Sequence, residues 1–156
     1  MNDEMNDFSV PGVPNEFGFV PSPINYIAPF KRPLSSISPI IVEYASNRSL
    51  YISIGGAGGS RIPTATVQAI WHVLEHDMTL PEALKERRMH DQLMPASTWV
   101  EDLFDKDILQ SLVEKGHNIS SMGKHGASVQ GVRRLWNGTF EAASEPRQMN
   151  SGGLAI

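Results

Sequence analysis

A chain of 156 residues and 17.2 kDa is long enough for one compact domain with a core and too short for two ordinary ones. Its 40% hydrophobic and 19% charged content is that of a globular protein, and 13 Lys+Arg against 17 Asp+Glu, a net charge of -4, argues against a nucleic-acid partner. The absence of Cys excludes disulfides, thiolate metal sites and Cys nucleophiles, and no apolar run approaches the ~20 residues that span a bilayer.

The chain opens on Met1-Asn2-Asp3-Glu4-Met5-Asn6-Asp7, which lacks the basic and apolar succession of a signal peptide. It reads either as a frayed acidic end or as a binding loop. Residues 8–39 carry Pro at 11, 14, 21, 23, 29, 33 and 39, so a long irregular segment is expected. Phe8, Phe17, Phe19, Tyr26, Ile27 and Phe30 are its expected apolar anchors. Strands are predicted over 39–44 and 50–54, joined by the polar turn Ser46-Asn47-Arg48-Ser49. After Gly55-Gly56-Ala57-Gly58-Gly59-Ser60, a helix is predicted over 64–76 with Val67, Ile70, Trp71 and Leu74 as its apolar stripe.

Thr79 and Glu82 have capping-box spacing and predict a helix through Arg88. A strand over 97–100 follows, then a helix capped by Asp105, with Ile108, Leu109, Leu112 and Val113 on its apolar face and Gly116 as its stop. Strands over 129–136 and 139–143 close the pattern, with Asn137-Gly138 between them as a type I′ turn signal. The order strand, strand, helix, helix, strand, helix, strand, strand implies an α+β fold of mainly antiparallel sheets covered by helices.

Chemistry has few places to sit. The glycine run lacks the Gly-Lys-Ser/Thr ending of a P-loop and the βαβ context of a dinucleotide site. It is either an oxyanion hole built from backbone N–H groups or a tight turn in which glycine solves a steric problem. Ser35 and Ser36, beside Lys31 and Arg32, are hydroxyls able to donate to a carboxylate. His72 and His76 share a helix face, but Val73 stands where a metalloprotease needs Glu, and no metal site is expected. His90, His117 and His125 read as surface or satisfied structural residues. The sequons at Asn47, Asn118 and Asn137 are compatible with a secreted route, although Asn137 is better explained by its turn.

Taken in order, several segments resemble the gamma-glutamyltransferases. They are Asn2-Asp3-Glu4-Met5-Asn6-Asp7-Phe8, Pro21-Ser22-Pro23, Lys31-Arg32-Pro33-Leu34-Ser35-Ser36, the Gly-Gly turn Gly56-Ala57-Gly58-Gly59-Ser60-Arg61-Ile62, Arg88-Met89-His90-Asp91-Gln92-Leu93, and Ala142-Ala143-Ser144-Glu145-Pro146-Arg147. The resemblance implies part of an N-terminal-nucleophile hydrolase αββα sandwich, with residues 1–147 as the C-terminal part of the small-subunit domain and 148–156 as a loose tail. It implies γ-glutamyl transfer or hydrolysis on glutathione and γ-glutamyl amides, with amino-acid or dipeptide acceptors, no cofactor, and the large subunit of the same precursor as partner. It places the enzyme outside the cell, on its surface or in the vacuole.

By the same resemblance Glu4 and Asp7 hold the donor's α-ammonium, Ser35 and Ser36 its α-carboxylate, and Gly58 and Gly59 form the oxyanion hole. The nucleophilic Thr and a carboxylate-binding Arg are implied to lie outside these residues, so the isolated chain is expected to be inactive and poorly soluble. Asn6 replaces an Asp, Phe30 stands where Gly is usual, and Ile37 where Met is common. A truncated, inactive relative that at most binds γ-glutamyl amino acids is the alternative, and a non-enzymatic interaction domain the third reading.

Overall fold

The computed structural model describes residues 3–124 and 126–155, so Met1, Asn2 and the reading of His125 lie outside the described residues. The chain forms β1 (Ile40–Glu43), β2 (Leu50–Ala57), α1 (Ile62–Glu75), α2 (Leu80–Lys85), β3 (Met89–Asp91), β4 (Thr98–Val100), α3 (Lys106–Glu114), β5 (Ile119–Ser121), β6 (Ser128–Arg134) and β7 (Phe140–Ala143). Short 3-10 turns cover Glu4–Asp7, Pro23–Asn25 and Gly59–Arg61.

The main sheet has the order β1-β2-β6-β7 and is antiparallel throughout. Alternation along β2 turns Ile52 and Ile54 inward. They meet Ala65, Ala69 and Val73 of α1, Leu80, Ala83 and Leu84 of α2, and Val129 of β6 in one core. Helices thus cover one face of this sheet. The capping box forms as the sequence implies: Thr79 accepts from the Glu82 N–H, and Glu82 accepts from the Thr79 N–H.

The second sheet, β3-β4-β5, comprises two strands that the sequence pattern does not reveal, because three residues are too few to establish an alternation. β4 and β5 pair in parallel, Thr98 opposite Ile119, since α3 lies between them as a crossover. Mainly antiparallel pairing therefore holds with this one parallel pair among the described strands.

Four local expectations are corrected. The buried stripe of α1 is Ile62, Ala65, Thr66, Ala69 and Val73, while Val67, Trp71 and Leu74 face outward. The small side chains let the helix lie close on the sheet. α2 ends at Lys85 rather than continuing to Arg88, because Glu86 leaves the helical region at ψ 144° and Arg88 turns into a buried ion cluster. The 135–139 turn is not type I′. Only Gly138 has positive φ (88°), the Gly138 N–H donates to Leu135 O, and the Leu135 N–H donates to Thr139 O, which is a type I turn closed by a left-handed glycine. Finally, Ile27 and Phe30 do not anchor the proline-rich segment: they are 63% and 109% exposed, and the buried residue there is Asn25.

Candidate functional site

The acidic opening is folded. Glu4–Asp7 make one 3-10 turn, and in a helix with three residues per turn positions i and i+3 eclipse. Glu4 and Asp7 therefore present two carboxylates on one exposed side. The other eclipsed pair is closed on itself, since Asn6 Nδ2 donates to Asp3 Oδ1 at 2.7 Å. Two like charges on one face repel, and a cation placed between them removes the penalty. An ammonium group has the charge and the donors for that position.

Asn25 joins this turn to the serine loop. Its Nδ2 donates to the Asp7 carbonyl at 2.7 Å and reaches Ser9 Oγ at 3.3 Å. Its Oδ1 accepts from the Leu34 N–H at 2.9 Å, directly before Ser35. Its own carbonyl accepts from the Ser9 N–H at 3.0 Å. A second link is Lys31, whose Nζ stands 5.9 Å from the Phe8 ring centre. Ser35 Oγ accepts from the Ile37 N–H at 3.2 Å, which leaves its own proton to donate elsewhere. Ser35 and Ser36 are both exposed.

The glycine turn lies at the end of β2. Gly58 and Gly59 have φ of 135° and 61°, and a Cβ on Gly58 would come within 2.9 Å of Ala127 Cα. The steric reading of these glycines is therefore correct as far as it goes. Yet among the described residues neither the Gly58 nor the Gly59 N–H has a protein acceptor, and Gly58 is exposed. Two backbone donors beside the start of α1 are suited to an anion.

Gln92 braces this turn, a role the sequence does not disclose. Its Nε2 donates to Phe17 O at 2.6 Å and Met94 O at 2.9 Å. Its Oε1 must then be the acceptor for Ser60 Oγ, 2.9 Å away, and for His90 Nε2, also at 2.9 Å. His90 consequently carries a proton on Nε2, while its Nδ1 faces Thr64 Oγ1 at 2.8 Å. His90 is a satisfied, buried structural residue.

A buried ion cluster stands behind the turn. Arg88 Nη1 pairs with Glu145 Oε2 at 2.8 Å, Arg147 Nη1 with Glu145 Oε1 at 2.9 Å, and Arg147 Nη2 with Glu101 Oε2 at 2.6 Å. Arg88 Nη1 also donates to Ala127 O at 2.9 Å, and Ala127 is the residue that abuts Gly58. Burial pushes the Glu145 pKa up, but hydrogen bonds and charge from Arg147 and Arg88 outweigh it and hold the carboxyl below the usual range. Burial works against the charge on Arg147, and its bonds to Glu101 and Glu145 reverse that, so its pKa is raised. The sequence supplied Arg88, Glu145 and Arg147 inside its motifs but gave no sign that they meet. Asn25, between Ile24 and Tyr26 in a proline-rich stretch, gave none either.

The structure thus brings Glu4 and Asp7 to one side of Asn25 and the Ser35-Ser36 loop to the other, and Gln92 ties the same proline-rich segment, through Phe17, to the glycine turn. Two cavities lie elsewhere. One of about 340 Å³ is bounded by Arg87, Asp102, Leu103, Lys124 and Arg147, and one of about 520 Å³ lies over the main sheet. None of the six candidate residues lines either.

Comparison with known proteins bears on this arrangement. The Gamma-glutamyltranspeptidase family model matches residues 1–154. A glutathione hydrolase proenzyme of Arthroderma benhamiae is 48% identical over 156 residues, covering 100% of this chain and 26% of the relative. A glutathione hydrolase of Aspergillus flavus is 37% identical over 155 residues, covering 99% of this chain and 26% of its own length. The chain thus spans about a quarter of these relatives. The crystal structure of a Helicobacter pylori gamma-glutamyltranspeptidase mutant superimposes with a TM-score of 0.85 at 34% identity, over 95% of this chain and 81% of that one.

Proposed function

The chain belongs to the gamma-glutamyltranspeptidase family, with an α+β fold of the N-terminal-nucleophile hydrolase type, and on that premise we propose that it supplies the glutamyl-binding wall and the oxyanion hole of an enzyme acting on glutathione and other γ-glutamyl amides. Glu4 and Asp7 receive the α-ammonium, and the Ser35 and Ser36 hydroxyls donate to the α-carboxylate. Each charge-assisted hydrogen bond of this kind contributes about 1.5–3 kcal/mol. The nucleophile is the N-terminal Thr of the small subunit, outside these residues, with its own α-amine as base.

The Thr hydroxyl oxygen adds to the γ-carbonyl carbon while its proton passes to the amine. The carbonyl oxygen becomes an oxyanion and takes hydrogen bonds from the Gly58 and Gly59 N–H groups, each such donor being worth roughly 2.7–4 kcal/mol in the transition state. Collapse breaks the C–N bond, the leaving amine takes the proton, and a γ-glutamyl ester remains. Water then releases glutamate, or the amine of an amino acid or dipeptide takes the γ-glutamyl group. No cofactor enters these steps. Residues 1–147 form the C-terminal part of the small-subunit domain, 148–156 are its tail, and the large subunit of the precursor completes the site. The setting is extracellular, cell-surface or vacuolar.

The observation that carries this reading is the placement of a two-carboxylate turn and a paired-hydroxyl loop on either side of one buried amide. Release of p-nitroaniline from γ-glutamyl-p-nitroanilide by the complete processed protein tests it. A processed protein that binds L-glutamate without turnover would instead support an inactive relative, and one that neither binds nor turns over would end both readings.

A further inference from the structure

We infer that Asn25 is the positioning residue that sets the spacing between the ammonium-binding and carboxylate-binding halves of the glutamyl site, an inference that rests on the reading of Glu4, Asp7, Ser35 and Ser36 given above. The two groups to be bound hang from a single carbon, so the turn and the loop that receive them must stand at one fixed separation. Neither can fix it alone. The acidic segment is a single 3-10 turn, and residues 31–39 have no regular hydrogen-bonded structure before β1 begins at Ile40. Pro29 and Pro33 have no N–H with which to brace the loop.

Asn25 is 8% exposed and spends both ends of its planar amide on this connection. The NH2 group bonds the carbonyl of Asp7, one of the two carboxylate residues, and the oxygen bonds the N–H of Leu34, next to Ser35. The Ser9 N–H to Asn25 carbonyl bond ties the acidic segment to residue 25 but does not reach the serine loop, and Lys31 with Phe8 joins an exposed side chain to a half-buried ring and leaves the distance soft. A displacement of about 1 Å in substrate-holding groups is enough to cost a hundredfold in rate.

The experiment uses the complete processed enzyme with Asn25→Asp and Asn25→Leu. Asp keeps the acceptor for the Leu34 N–H but turns an anion toward the Asp7 carbonyl; Leu keeps the bulk and loses both bonds. Both variants are expected to raise KM for γ-glutamyl-p-nitroanilide at least tenfold, with kcat at saturation within about threefold of wild type. The preference for this donor over glutaryl-p-nitroanilide, which lacks the ammonium, should shrink by a similar factor. Ser9→Ala, which removes only the 3.3 Å contact, should leave both quantities unchanged.

KM does not depend on how much of a preparation is folded, so partial misfolding does not imitate the effect. A wild-type KM and wild-type donor preference in either Asn25 variant would overturn the inference, as would a fall in kcat alone. Absence of turnover in the wild type counts against the functional reading instead. Calorimetry with L-glutamate then tests Asn25 directly: a tenfold weaker affinity in Asn25→Asp supports its role, and equal affinity refutes it.

Discussion

The ring of Phe17 occupies the space in front of Gly59: a Cβ at Gly59 would run into Phe17 Cζ and lie 2.7 and 2.8 Å from its two Cε atoms. Gly59→Ala therefore meets both this ring and a left-handed backbone, φ 61°, that costs an L-residue about 1–2 kcal/mol. A fall in kcat with a smaller change in KM is expected, because on the proposed reading the displaced N–H acts on the transition state. Adding Phe17→Ala should recover part of the loss and no more, since it removes the collision and not the backbone strain. Full recovery would show that backbone conformation at residue 59 does not matter.

Asp7→Asn keeps the shape of the acidic turn and removes one of its two charges. Losing a charge-assisted contact to an ammonium corresponds to an increase in KM of about tenfold to a hundredfold for the glutamyl donor. The same substitution should barely affect a donor without an ammonium group. Steady-state kinetics with γ-glutamyl- and glutaryl-p-nitroanilide side by side checks this.

Removing one member of the buried ion cluster leaves a buried charge without its partner. Glu145→Gln, which strands Arg88 and leaves Arg147 with Glu101 alone, should destabilise the protein by about 3–5 kcal/mol in denaturant unfolding. The pH dependence follows from the lowered pKa of Glu145. A carboxyl that ionises more readily when folded than when unfolded stabilises the fold fully above the unfolded value of about 4.3. That stability is lost as the pH falls through the lower, folded value. Melting temperatures between pH 3 and 7 should drop at the acid end in wild type and drop less in Glu145→Gln.

Gln92→Glu loses the donors to Phe17 O and Met94 O while keeping an acceptor for Ser60. The loop that carries Phe17 should then loosen against the glycine turn. A fall in kcat of about tenfold, with KM for the donor nearly unchanged, is the expected signature of a misplaced oxyanion hole. An unchanged kcat in a folded variant would show that the brace has no effect on the turn.

Phe30 is fully exposed and held at φ 62°. Phe30→Gly should stabilise the protein by about 1 kcal/mol, the relief of left-handed strain partly offset by the entropy glycine brings to the unfolded chain. Thermal melting reads it out. A lower melting temperature would mean that the ring makes a stabilising contact after all.

Much of the fold was legible because its signals are local. The alternation of Leu50-Tyr51-Ile52-Ser53-Ile54, the Thr79–Glu82 box and the Asp105 cap each act within a few residues, and each forms. The stripe of α1 was misread because large apolar residues mark a buried face only when the neighbour stands far enough away. Here the helix approaches the sheet on alanines, leaving Trp71 half exposed against His76. The candidate site residues were legible through resemblance, not through periodicity. What holds them, Asn25 and Gln92, was hidden because their partners lie 18 and 75 positions away, at Asp7 and Phe17, and no local pattern encodes such pairings.

The proline-rich segment is held by two amides, Asn25 between Asp7 and Leu34 and Gln92 at Phe17, while the side chains of Ile27 and Phe30 project outward and take no part in either hold. On the proposed reading, substitution of the Ile27 and Phe30 side chains at the rim leaves the bonds of Asn25 in place. A directed-evolution library confined to those two positions would vary the outer surface while leaving the proposed donor-binding residues unchanged.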